Sequence, residues 1–200
     1  MDTDPLPGHL GVVRFAELTA VAWRNGAGLT REVASAGGSG PHGFDWRISI
    51  AQVSEPGPFS SYPGVERIIT VVQGEGMDLV VDGVEHVLGL HEPFAFDGAS
   101  RTSCSRLAGP IRDLNVMTRT DTCSAAVAIR DLSQTRPIAV DGNQVLVLLT
   151  GSAVVVGADG SRADLQLLDA VCPAGEHLRL IEGSGRVAVV RIENRHRGSA

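Results

Sequence analysis

Residues 57–83, GPFSSYPGVERIITVVQGEGMDLVVDG, divide into strands and turns on composition alone. Residues 67–72 (RIITVV) are β-branched and apolar, which suits a buried strand. Gln73-Gly74-Glu75-Gly76 is a turn, because paired glycines supply the positive φ that tight turns need. Residues 77–81 make a second strand, and Asp82-Gly83 closes a hairpin. Strand, glycine turn, strand and Asp-Gly turn is how small antiparallel barrels of the jelly-roll kind are built.

The phrase occurs again 77 residues later. Gly74, Asp82, Gly83 and Gly98 are matched by Gly151, Asp159, Gly160 and Gly175. VVQGEGMDLVVDG lies over LLTGSAVVVGADG without a gap, and Leu88, Leu90 and Phe94 then fall on Leu165, Leu167 and Val171. A constant offset through four turn residues favours duplication over coincidence. The expected organisation is all-β: one barrel over residues 9–120, a link near 120–125, a second barrel over 126–193, and a polar tail at 194–200.

Outward from this repeat, residues 44–53 alternate, with Trp46, Ile48 and Ile50 on one face and Arg47, Ser49 and Ala51 on the other. Residues 111–117 do the same: Asp113, Asn115 and Met117 oppose Leu114 and Val116. A polar strand face usually meets solvent, but in a small barrel it can line a ligand cavity. Residues 35–43 are Gly/Ser-rich and read as a loop. The Gly26-x-Gly28 turn resembles an anion-binding nest, although an ordinary hairpin is the better reading on pattern alone. Strands are expected at 12–15, 126–131, 143–150, 153–156, 164–168 and 186–193. No long 3.6-residue period occurs, so helix content is expected to be low.

Composition narrows the function. The 200 residues are 43% hydrophobic and 20% charged, with a net charge of −6, so a globular protein is expected and a nucleic-acid surface is not. All 17 basic residues are arginine; without lysine, Schiff-base chemistry is excluded, whereas bidentate carboxylate binding is well served. Cys104, Cys123 and Cys172 form no CxxC or zinc pattern. Residues 1–9 lack a signal-peptide pattern and no run suits a bilayer span, so a cytoplasmic protein without membrane partners is expected.

The glycine-punctuated hairpins look like cupins. In metal-binding cupins a glutamate and histidines precede the first glycine. Counting back from Gly74 places Arg67 at the glutamate, and Ser60 and Tyr62, or Ser61 and Pro63, at the histidines. In the second motif Phe96 stands at the proline and Arg101 at the histidine. The second copy has Gln144 and Leu178 at the glutamate and histidine positions, so no metal and no other cofactor is expected in either half.

More narrowly, WRNGAGLTREVA (23–34), FDWRISIAQV (44–53), residues 57–79, FAFDG (94–98) and DLNVMTR (113–119) resemble the HutD/Ves family of bicupins. Ala27 stands where that family typically has glycine. The resemblance implies a sensor or regulator of histidine utilisation. Its expected ligand is a small anionic degradation intermediate such as formylglutamate or urocanate.

Ten polar residues inside the matched phrases are proposed to line one pocket of the first barrel: Arg24, Asn25, Thr30, Glu32, Arg47, Ser49, Ser60, Arg67, Asp113 and Asn115. Arg47 and Arg67 would hold a carboxylate, Asn25, Thr30, Ser49 and Asn115 would orient it, and Glu32 and Asp113 would brace the arginines or meet an amide. The competing reading makes some of these arginines structural ion-pair members. Trp23, Trp46, Phe59 and Phe96 read as core, and the six histidines as surface groups. Non-enzymatic binding is favoured, with no catalytic residue assigned. The alternatives are a metal-independent isomerase or lyase using Glu32 or Asp113 as acid or base, and a protein-interaction role for the second barrel. A homodimer is left open.

Overall fold

The computed structural model describes residues 10–23, 26–38, 41–173 and 179–195. The strands are β1 (Val12–Val13), β2 (Ala20–Ala22), β3 (Gly28–Ala36), β4 (Trp46–Val53), β5 (Gly57–Pro58), β6 (Val65–Gln73), β7 (Met77–Val81), β8 (Val84–Leu88) and β9 (Phe94–Asp97). They continue with β10 (Thr102–Leu107), β11 (Ile111–Arg119), β12 (Cys123–Leu132), β13 (Ile138–Val140), β14 (Gln144–Val156), β15 (Arg162–Leu165), β16 (Ala170–Val171) and β17 (Arg179–Asn194). Among the described residues the helical content is one 3₁₀ turn, Phe15–Glu17. Among the described residues no helix is long and apolar enough to cross a membrane.

The strands divide between two compact units. Described residues 18–126 and 192–195 make the first, and 10–17 with 127–191 make the second. The first has a six-stranded sheet, β2-β3-β4-β11-β6-β9, and a four-stranded sheet, β5-β10-β7-β8. Val53, Ile69, Val71 and Ile111 of the larger sheet pack with Met77, Leu79, Leu88 and Cys104 of the smaller, and with Phe96. The period-2 pattern read from the sequence places these side chains on one face of each strand.

In the second unit β14 lies between β16 and β17, and β15 and β13 extend the sheet. Residues 143–150 and 153–156, expected as separate strands, form the single strand β14. Gly151, with φ +82°, carries the chain through the bend. Opposite it, Gly183 and Gly185 also have positive φ, and a Cβ at any of the three would collide with backbone across the ladder.

The structure departs from the sequence expectations at several places. Residues 10–17, placed with the first barrel, belong to the second unit. There, Val12 pairs with Val171, and Arg14 Nη1 reaches Asp169 Oδ2 at 2.7 Å. The Gly/Ser-rich stretch begins as strand, because Ser35 and Ala36 pair with Arg47 and Trp46. The second half of the expected link, residues 123–125, belongs to β12. Strands β10 and β13 were not anticipated at all. β10, TSCSRL, carries polar residues that hide its alternation, yet Thr102 and Cys104 are buried. The Gly26-x-Gly28 segment is a hairpin turn: Trp23 N–H donates to the Gly28 carbonyl and Gly26 N–H to the Trp23 carbonyl.

Candidate functional site

Strand register sets three rows of side chains across the inner face of the six-stranded sheet. Thr30, Ala51, Asp113 and Val71 share one row, and Glu32, Ser49, Asn115 and Ile69 the next. Ser35, Arg47, Met117 and Arg67 form the third, with Phe96 beside Arg67 on β9. A bulge between Glu32 and Ala34 keeps Glu32 and Ser35 in register with this face. Seven of the ten candidate residues therefore lie on one face of four adjacent strands.

Arg67 is the centre of this face. It is 7% exposed. Its Nη2 donates to Asn115 Oδ1 at 2.8 Å and its Nη1 makes a long contact, 3.4 Å, to the Ser60 carbonyl. Nε is buried with no hydrogen-bond partner. The guanidinium carbon lies 5.0 Å from the Phe96 ring centre, 5.5 Å from Phe59 and 5.8 Å from Tyr62. Three rings thus supply cation–π attraction where water is excluded. Burial lowers the guanidinium's pKa; Asp113 and Tyr62 oppose that shift, and Arg47 adds to it. Among the described residues no carboxylate oxygen comes within ion-pair distance of Arg67.

Asp113 is fully buried. Its Oδ1 accepts a short hydrogen bond from Asn115 Nδ2, so Asn115 links the carboxylate to Arg67. Oδ2 has no partner. Burial pushes the carboxyl up to about 7, against the pull of Arg67 and the Asn115 hydrogen bond.

Toward solvent the face opens onto Arg47 and Glu32, with Arg47 Nε 3.3 Å from Glu32 Oε2 and side chains 26% and 51% exposed. Ser35 donates to Glu32 Oε1. Arg47 also lies over Phe44 at 5.9 Å. Ser49 is buried between Glu32 and Asn115 in their row. Thr30 accepts from Trp23 Nε1 at 2.7 Å, so its hydroxyl oxygen is engaged by the indole. Ser60 is exposed and meets Arg67 through its carbonyl, not through the hydroxyl expected to line the pocket. Arg24 and Asn25 lie outside the described residues.

The bracing expected of the carboxylates is divided: Glu32 pairs with Arg47, whereas Asp113 reaches Arg67 only through Asn115. Arg101, expected opposite Arg67 at the metal-ligand position, is exposed, and its N–H caps Asp82 Oδ1. Among the described residues no three His, Cys, Asp or Glu side chains converge. Phe59 and Phe96, read as core from the sequence, do pack in the core but also surround the guanidinium, and Tyr62 joins them. Their signal was Tyr62 and Phe59 just ahead of the Arg67 strand. The Phe96–Arg67 pairing depends on a register that one sequence does not fix.

Comparison with known proteins agrees with this architecture. A 21.2 kDa protein in the hutC 3′ region of Pseudomonas putida, itself uncharacterised, is 35% identical over 190 residues, 94% of this chain and 99% of that one. Protein Ves of Citrobacter koseri is 43% identical over 113 residues, covering 54% of this chain and 58% of its own. HutD from Pseudomonas fluorescens SBW25, solved in a formate condition, superposes with a TM-score of 0.76 at 34% identity, covering 92% of this chain and 98% of that one. A cupin 2 conserved barrel domain protein from Leptotrichia buccalis shares the fold alone, with a TM-score of 0.60 at 9% identity over 91% of this chain and 96% of that one. The HutD family model matches residues 15–189, and the chain belongs to the HutD family.

Proposed function

We propose that the first unit binds a small carboxylate metabolite without turning it over, and that the protein acts as a sensor in histidine utilisation. The observation that carries this reading is Arg67: a buried guanidinium held by a neutral amide and three rings, with Nε unpartnered and no direct carboxylate. A buried cation is costly unless paired, so an anionic ligand at its edge would complete the arrangement. The rings lie against the guanidinium, and its unpartnered Nε is a donor that a carboxylate could take. Arg47, on the solvent side, would guide the anion in. The relative in the hutC 3′ region supports the metabolic link, and formylglutamate and urocanate are the expected ligands. A cytoplasmic location and a homodimer fit this role.

Calorimetric titration of formylglutamate, urocanate, succinate and formate tests the reading. A charge-assisted contact contributes about 1.5–3 kcal/mol, so Arg67→Ala should weaken the best ligand about ten- to a hundredfold. Arg67→Lys should recover only part, because an ammonium lacks the fork. Unchanged affinity in a folded Arg67→Ala protein would remove Arg67 from the site.

A second reading, a metal-independent isomerase or lyase, draws on Asp113, whose carboxyl at about 7 suits a general base. It stands second because Asp113 lies behind Asn115 with no exposed surface. Mass spectrometry of each binding metabolite after long incubation separates the two: a changed mass or an isomer resolved by chromatography establishes turnover.

A further inference from the structure

The inner face carries a carboxylate that the anion site does not obviously need. Asp113 sits one amide away from Arg67, wholly buried, with Oδ1 bound to Asn115 and Oδ2 free. Resting on the anion-site reading above, we propose that the first unit takes up its anion together with a proton from water, and that Asp113 Oδ2 receives that proton.

The argument is one of charge in a confined interior. Without ligand, the buried set is one guanidinium and one carboxylate, neutral in sum. A second carboxylate at the edge of Arg67 would leave two anions facing one cation, where unpaired charge is expensive. Protonation of Asp113 returns the sum to zero: guanidinium plus, ligand minus, carboxylic acid neutral. Oδ1 can keep the Asn115 hydrogen bond while Oδ2 holds the proton.

Arg47, Tyr62 and Cys104 do not provide this compensation. Arg47, from β4, is paired with Glu32 of β3 at 3.3 Å. Tyr62, ahead of β6, interacts with the guanidinium. Cys104, from β10, is a thiol raised by burial and, in part, by Asp113 itself. His91 is buried, its backbone N–H on the carbonyl of Val71, the residue across the ladder from Asp113, and its imidazole is the rival site for the proton that the test below separates. The carboxyl's position near 7 places the exchange within the physiological range.

The test is calorimetry on the full-length protein with formate and N-formylglutamate, whose charges stay constant between pH 6 and 8.5. Titrations at pH 8.5 in EPPS and in Tris, which differ in ionisation enthalpy and bring no competing small anion, give the protons taken up from the buffer dependence of the heat. Uptake approaching one proton per anion is expected at pH 8.5, falling toward zero at pH 6. The dissociation constant should rise about tenfold per pH unit above neutrality. Asp113→Asn should abolish uptake and flatten the pH profile; persistence of either in that variant would implicate His91 and overturn the assignment. Binding without proton uptake in the wild type overturns the inference but leaves the anion site standing, and it does so even if the variant fails to fold. If neither anion binds the wild type at millimolar concentration, the site reading falls and this inference with it.

Discussion

Where the first unit carries Arg67, the second carries Gln144, and the strand opposite differs in the same sense. Ile69 pairs with Asn115 in the first unit as Leu146 pairs with Val189 in the second; Val71 relates to Asp113 by the same correspondence as Leu148 to Val187. Thus Arg67, Asn115 and Asp113 become Gln144, Val189 and Val187. The second unit fills the Asp113 and Asn115 positions from its core, with Val187 and Val189 packed among Leu146, Leu148 and Val171. One backbone plan therefore supports an aliphatic interior and a charged one. Aliphatic packing is sufficient for the scaffold, so the polar set of the first unit needs a reason beyond holding strands together.

The sharpest way to break this comparison is to give the second unit the first unit's carboxylate. Val187→Asp buries a charge with no guanidinium at the Gln144 position, and should destabilise by about 3–5 kcal/mol in urea denaturation. A loss below about 1 kcal/mol would mean that the second interior already admits charge.

The reciprocal change, Asp113→Asn, should act through pH. In the wild type the native carboxyl sits near 7 against an ordinary 3.8. The native state therefore keeps a proton that the unfolded chain has lost, and stability falls as pH rises between about 4 and about 7, then levels off. The variant should lack this decline. Parallel urea midpoints for both proteins from pH 4 to 8 would show that Asp113 ionises normally.

A smaller difference is expected between two glycines of similar φ. Gly151→Ala forces a methyl into the Ser184 carbonyl and Gly185, whereas a methyl on Gly83 meets nothing within 4 Å. The first should cost more than the roughly 1 kcal/mol expected of the backbone strain at the second. Equal melting temperatures would show that the β14–β17 bend can relax. The smallest effect belongs to the exposed Arg162–Glu182 pair at 2.7 Å: Glu182→Ala should change stability by no more than about 1 kcal/mol, read as a small shift in urea midpoint.

The sequence made the repeat visible but concealed its detailed register. Leu88 and Leu165 are both buried, and Leu90 and Leu167 are 45% and 44% exposed, as an offset of 77 requires. His91 and Leu168 share positive φ, and both donate to the matching carbonyls of Val71 and Leu148. Between these points, however, Met77 pairs with Leu88 while Ala153, not Val154, pairs with Leu165. The first unit spends an extra residue at Gly74–Gly76, and the second spends one in the loop around Asp159. The two cancel, so a gap-free alignment hides a one-residue slip that only strand pairing reveals. Gly175, the fourth repeat glycine, lies outside the described residues.

For the site, parity placed Arg67, Asp113 and Asn115 together on one face, because a two-residue period is a local property. Contacts that depend on tertiary approach were not legible. Nothing in the spacing says that Asn115 stands between Arg67 and Asp113, or that Phe59 turns its ring toward the guanidinium. The expected hydroxyl of Ser60 was replaced by its carbonyl for the same reason: a loop's orientation is set by what it packs against.

The Arg14–Asp169 bridge joins residues 155 positions apart, and this bears on how the molecule is made. Strand β1 leaves the ribosome before its partner β16, which is synthesised only after residues 18–126 of the first unit. At about 5–20 residues per second, β1 waits roughly ten seconds or longer for its place. Throughout that wait its backbone donors and acceptors lack the pairing they have in the finished protein. Vectorial synthesis thus leaves a late step, the return of the N-terminal segment to a nascent sheet, that no contact within the first unit can hasten.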